Sequence, residues 1–317
     1  MTVVTVAAVQ AAPVFLDREA TVDKAVDLIG KAAADGAQLI AFPESFVPTY
    51  PDWVWRSRPW ADGPSRWYER LFDQAVEIPG PATQRLAEAA QQAGAYVAMG
   101  VTERDAGTLY NTVVWLDPQG RVAHKHRKVM PTGGERLVWG MGDGSTLSVL
   151  DTPIGRLGAL ICWENYMPLA RYALYAQGID IYVAPTWDNS DTWVPTLRHI
   201  AKEGRCHVVG VTPCLRGSDV PADIEGRDGL YGGDEDWMSK GNSCVVGPEG
   251  ELLAEPLVGA EGIVIAQVDV TAARLSRRMF DPVGHYARPD IFRLEVDRRP
   301  KPAATFTDHD PQQGAHS

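Results

Sequence analysis

The stretch Arg156-Leu157-Gly158-Ala159-Leu160-Ile161-Cys162-Trp163-Glu164-Asn165 runs from an apolar segment straight into a cysteine, an indole and an acid. Residues 156–161 are short and almost wholly apolar, which reads as a buried strand rather than a helix. A helix follows over 168–177, with Pro168 in its first turn, where a missing N–H costs nothing. Outward from this unit the alternation repeats. Residues 179–184 and 207–212 read as strands and 193–205 as a helix. In the first half, 3–9, 38–42, 96–102 and 111–116 read as strands, and 17–35 and 81–93 as helices. In helix 17–35, Val22, Ala25, Val26, Ile29 and Ala33 fall at helical spacing, and Gly36 ends it. Each half also holds a hairpin with a Pro-x-Gly turn, at Asp117-Pro118-Gln119-Gly120 and Gly247-Pro248-Glu249-Gly250. A strand at 262–268 and a helix near 271–280 complete the core.

Helices alternating with strands pack on sheet faces, so the class is α/β. The hairpins add antiparallel pairs and make the sheets mixed. Two halves of similar rhythm predict two layered sheets with helices outside, a four-layer α-β-β-α sandwich. One domain is expected over residues 1–296. Residues 297–317 are rich in Pro and Gln and poor in apolar residues, which predicts a disordered tail. Residues 47–68 read as irregular and hold Trp53, Trp55, Trp60 and Trp67. Residues 215–241 read as a long polar loop.

The net charge of −11 argues against nucleic-acid and anionic-membrane partners. No apolar run approaches the ~20 residues of a membrane span. Residues 1–10 lack a basic n-region and a cleavage site. The expectation is a cytoplasmic protein with reduced thiols. Its four cysteines, Cys162, Cys206, Cys214 and Cys244, include no C-x-x-C pair, so neither zinc nor a disulfide framework is predicted.

Cys162 follows a strand end, where ligands bind in open α/β sheets, and the start of the next helix lies close, which favours thiolate. The competing reading, an inert buried thiol, fits the other three cysteines, which lie in or beside apolar strands. Glu44, in Phe42-Pro43-Glu44, also sits at a strand end among apolar neighbours. Desolvation there would raise its pKa and make it a usable base; the plainer reading is a solvated loop acid. Lys128 ends the run His124-Lys125-His126-Arg127-Lys128, which otherwise reads as a solvated strand of alternating charges. No carboxylate accompanies the H-x-H pair at ligand spacing, so no metal is expected. Glu135, in Pro131-Thr132-Gly133-Gly134-Glu135-Arg136, lies on a turn that folds back toward Lys128. Gly140-Met141-Gly142-Asp143-Gly144 opens no helix and reads as a turn, not a phosphate loop.

Phe42-Pro43-Glu44, His126-Arg127-Lys128 and Ile161-Cys162-Trp163-Glu164-Asn165, in this order, resemble the glutamate, lysine and cysteine motifs of the nitrilase superfamily of carbon–nitrogen hydrolases. The resemblance covers about residues 3–296. Cys162-Trp163-Glu164, the segment 131–137 and the segment 284–290 are similar to the nitrilase branch. The resemblance implies a Glu44/Lys128/Glu135/Cys162 site without metal or cofactor, in which Glu44 is the base and Cys162 attacks a nitrile to give a thioimidate. Lys128 and the Trp163 N–H would hold developing charge, Glu164 would support them, and Glu135 would position Lys128 or substrate. Trp53 and Trp187 are candidate pocket walls. The alternatives are an amidase or cyanide-processing enzyme with the same residues, or a silent binding protein. The family pattern also implies a homo-oligomer, a dimer or larger spiral. Leu169, Tyr172, Ala173 and Tyr175 spread apolar surface around helix 168–177 in support of it.

Overall fold

The computed structural model describes residues 2–306 except 61, 225, 232, 234 and 235, with backbone alone for 62–65. The first sheet contains β1 (Val3–Gln10), β2 (Leu39–Ala41), β3 (Tyr96–Asp105), β4 (Thr108–Leu116) and β5 (Val122–Arg127). The second contains β6 (Leu150–Thr152), β7 (Gly155–Ala159), β8 (Ile181–Pro185), β9 (His207–Val211), β10 (Cys214–Arg216), β11 (Trp237–Val246) and β12 (Leu252–Val258). The last strand, β13 (Gly262–Asp269), returns to the first sheet and pairs with β1. The strand orders are β13-β1-β2-β3-β4-β5 and β10-β11-β9-β8-β7-β6, with β12 on β11. Both sheets are mixed: β1, β2 and β3 run parallel, as do β7, β8 and β9, while the hairpins β3-β4 and β6-β7 and the long-range pairs β1-β13 and β9-β11 are antiparallel.

Period-two alternation separates the layers. Val4, Val6 and Ala8 of β1, Leu39 and Ala41 of β2, and Ile181 and Val183 of β8 share the core between the sheets. The opposite faces carry helices. Ala7, Val9, Ile40 and Met99 pack under helices α1 (Arg18–Ala34) and α3 (Pro81–Ala93). Tyr182, Ala184 and Val208 pack under α4 (Pro168–Tyr175) and α5 (Trp193–Gly204). The result is the expected α-β-β-α sandwich.

Two expectations are corrected. Residues 47–68 are not wholly irregular, because α2 covers Asp62–Gln74. Trp67 and Leu71, four apart, bury one face of it, and Pro64 falls in the first turn, where it is tolerated. Residues 215–241 are not a free loop. β10 pairs with β11, a short helix α6 spans Arg227–Leu230, and Val220, Ile224, Tyr231 and Met238 join the cluster around Trp53 and Trp67. The chain then runs through α7 (Val270–Ser276) into residues 277–306, which carry no regular element. Of the expected tail, the Lys301 N–H donates to Asp143 Oδ2 (2.6 Å), and 307–317 lie outside the described residues. No described helix is long and apolar enough to cross a membrane.

Candidate active site

The site lies beyond the carboxyl ends of the parallel strands, where backbone groups are free to bind ligands. Glu44 follows β2 on a segment laid flat against β3. Phe42 N–H donates to Ala98 O, and Val47 N–H to Gly100 O. A Cβ at residue 100 would sit 1.9 Å from Pro43 O, so only glycine admits this approach. Lys128 comes directly after β5, and its N–H donates to Asn111 O. Glu135 lies on a single 3-10 turn, Gly133–Leu137. Cys162 opens another, Cys162–Tyr166, with φ of 52°.

These four residues come from both sheets and are all buried. Lys128 Nζ donates to Glu44 Oε1 and Glu135 Oε2, each at 2.8 Å. Glu44 Oε1 also accepts from Asn111 Nδ2 (2.7 Å), and its Oε2 from Trp187 N–H (2.7 Å). Glu135 accepts from Tyr50 OH (2.7 Å) and Thr132 N–H (2.7 Å). Tyr50 in turn accepts from Trp55 Nε1 (2.9 Å) and stacks on Trp187 at 4.5 Å. Every lone pair used to hold the carboxylates is matched by a donor, which fixes their direction.

Burial pushes the Cys162 thiol well above its ordinary value, Glu44 adds to this, Lys128 opposes it and Glu135 adds again. Cys162 at rest is therefore a thiol, and a base would have to take its proton before sulfur could attack. Burial raises the Glu44 carboxyl too, against Lys128 and with Glu135. Glu44 thus has more affinity for the thiol proton than an exposed carboxylate has. Burial alone would lower Lys128, but the charges of Glu44, Cys162 and Glu135 hold it well above its usual value. It remains a fixed cation among acids. Chemically, such a set is able to take a proton from sulfur and to hold negative charge on a bound group.

The residue pattern and fold agree with the comparisons. The family model described as carbon-nitrogen hydrolase matches residues 5–278. The chain belongs to that family. Among its relatives, an aliphatic nitrilase of Sinorhizobium fredii is 45% identical over 96% of this chain and 98% of its own. Nitrilase 2 of Arabidopsis thaliana is 42% identical, with 96% and 92% covered. A carbon-nitrogen hydrolase crystal structure from Helicobacter pylori G27 shares the fold at TM-score 0.70 and 21% identity, covering 92% of this chain and 97% of that one.

A cavity of about 770 Å³ opens over Cys162 and Glu135 in this hydrolase. Its walls are Tyr50, Trp55, Met130, Trp163, Met167 and Trp187, with Arg136 and Asp188 also lining it. Of the two candidate pocket tryptophans, Trp187 lines this cavity. Trp53 does not line the cavity; it is buried against Trp67 (5.5 Å), and Trp55, two residues on, faces the opening. Trp163 is half-exposed and donates through Nε1 to Asp188. Glu164 is fully buried, bonded to His126 and to the N–H groups of Ile161 and Val129. The basic run is not a solvated strand: Lys125 and Arg127 both pair with buried Glu103. Cys206, Cys214 and Cys244 are buried away from the cavity. Asn111 and Tyr50, which hold the two carboxylates, escape sequence reasoning. Tyr50 had one signal, its place in the aromatic segment beside Glu44; Asn111 looks like any strand asparagine.

Proposed function

We propose that this hydrolase is a nitrilase that converts an organic nitrile and two waters into a carboxylic acid and ammonia. The observation that carries it is Cys162 on the cavity floor beside the buried Glu44–Lys128–Glu135 array. Nitrilase relatives above 40% identity support the choice of nitrile. Glu44 takes the thiol proton as sulfur bonds to the nitrile carbon, and that proton goes to nitrogen, giving a thioimidate. Lys128 and the Trp163 N–H stabilise the charge that builds on nitrogen. Glu44 then deprotonates water for addition to the thioimidate carbon. Ammonia leaves, a thioester remains, and a second water releases acid and restores the thiol. Glu135 holds Lys128 in place, and Glu164 supports the turn that presents Cys162. No step calls on a metal or organic cofactor.

We read residues 1–296 as one hydrolase domain of a cytoplasmic homo-oligomer, a dimer or larger spiral. Leu169 on α4 is 66% exposed, which supports a further covering surface. The test of function is ammonia release from matched nitrile and amide pairs with the same alkyl or aryl group. Higher kcat/KM on nitriles, with acid as main product, is expected. Consistent preference for amides would transfer the assignment to an amidase.

A further inference from the structure

We propose that the buried Glu164–His126 pair is an imidazolium–carboxylate clamp that positions Cys162 against Lys128 across the two sheets. His126 belongs to β5 of the first sheet, two residues before Lys128. Glu164 follows β7 of the second sheet, two residues after Cys162. Nothing in the chemistry above requires a histidine here.

Four hydrogen bonds converge on the Glu164 carboxylate. Oε2 accepts from Ile161 N–H at 2.7 Å, directly before the nucleophile. Oε1 accepts from Val129 N–H at 2.6 Å, directly after the lysine. His126 Nε2 reaches both oxygens, at 3.1 and 3.3 Å. One side chain therefore grips the backbone next to Cys162 and the backbone next to Lys128. Both members are buried, at 0% and 2% exposure, so water does not weaken the grip.

The protonation state follows from the partners. The Nδ1 of His126 lies 3.3 Å from Thr146 O, which accepts only, so Nδ1 carries a hydrogen. Its Nε2 faces two carboxylate oxygens that each already accept a backbone N–H, so it meets acceptors there and donates to them. Both ring nitrogens then donate and the ring is cationic. The direction of its pKa agrees: burial pulls His126 down, but Glu164 outweighs it and raises it.

The clamp matters because the reaction needs sulfur and the Lys128 ammonium on one small group. A misplacement of about 1 Å costs on the order of 10²-fold in rate. In Glu164→Gln, the amide nitrogen must face one of the two backbone N–H groups, so one grip opens. His126→Gln leaves both grips but removes the cation that orients the carboxylate.

The inference rests on Cys162 as nucleophile, and the experiment separates the two claims. Glu164→Gln, His126→Gln, the double variant and Cys162→Ala are assayed on one nitrile for kcat and KM. Cys162 alkylation by iodoacetamide is timed in the first three. The clamp predicts kcat lower by about 10- to 100-fold in each single variant, KM within about threefold, alkylation slowed in parallel, and a double variant less impaired than the product of the singles. Folded single variants with wild-type kcat and alkylation overturn it, as does a kcat loss with unchanged alkylation and full additivity. If Glu164→Gln does not fold, His126→Gln carries the test. The ¹⁵N spectrum of the native enzyme gives an independent reading at neutral pH. A buried histidine with both nitrogens protonated is expected, and a neutral His126 refutes the imidazolium. Turnover by Cys162→Ala instead removes the underlying mechanism.

Discussion

At Cys162 the backbone turns into the left-handed region, φ 52°, and at Ser45, next to Glu44, it does so again, φ 48°. Each such non-glycine residue costs on the order of 1 kcal/mol or more, and surrounding bonds must hold it. Ser45 is held by its hydroxyl, bonded to Thr49 O and the Thr102 hydroxyl. Cys162 is held by its carbonyl, which accepts from Asn165 Nδ2. Since the thiol contributes little to packing beyond its volume, Cys162→Ala should abolish ammonia release while circular dichroism and melting stay as in wild type; turnover by this variant would end the thioimidate scheme. Gly100→Ala should act from the opposite direction. Its Cβ would meet Pro43 O and Ser45 N, so the Glu44 segment must lift from β3. A loss of about 1–3 kcal/mol in denaturant melts and a fall in kcat are expected, and an unchanged kcat would show that Glu44 tolerates the shift.

Between elements, Glu103 of β3 ties down β5, accepting from Lys125, from Arg127 and from Thr112 of β4. Burial would raise its carboxyl, but hydrogen bonds from Arg127 and Lys125 win and hold it below its ordinary 4.5. A depressed carboxyl stabilises the fold above its unfolded pKa, and that contribution fades as pH falls through the lower folded value. Glu103→Gln should therefore cost about 1–3 kcal/mol at neutral pH, with the gap to wild type closing in acid. Urea melts at two pH values check this, and a gap that widens in acid would contradict it. Trp55, on the 3-10 turn Asp52–Trp55, walls the cavity and bonds Tyr50. Trp55→Ala should raise KM for bulky nitriles by about tenfold, within the 1–3 kcal/mol of an apolar pocket contact, and change small nitriles less. Equal effects on both would mean that Trp55 acts on Tyr50 and not on the substrate. Helix α3 matches its predicted bounds, 81–93, because Pro81, the inward Leu86, Ala89 and Ala90, and Gly94 all act locally. β7 stops at Ala159, short of the predicted 161, because the Glu164 carboxylate takes the Ile161 N–H that a ladder would use. That partner lies only three residues on, in the turn that Cys162 opens.

For the molecule as a whole, exposed Leu169, Leu275, Met279, Ile291 and Phe292 support the proposed oligomer. Light scattering at working concentration should give at least a dimer, and a stable monomer would contradict it. Most of the element sequence and the α/β layering were legible in the chain. Hydrophobic period, turn chemistry and motif order are encoded among near neighbours. What only the tertiary structure decided is which groups meet. The Trp187 N–H reaches Glu44 across 143 residues of sequence, and the Asn111 amide donates to Glu44 across 67. Trp55 takes the cavity wall and Trp53 the core, although the two stand two residues apart. The resting thiol, the persistent Lys128 cation and the grip of Glu164 follow from burial and from partners brought by the other sheet. Desolvation and hydrogen-bond pairing depend on distance in space, which residue order carries only after the sheets have packed.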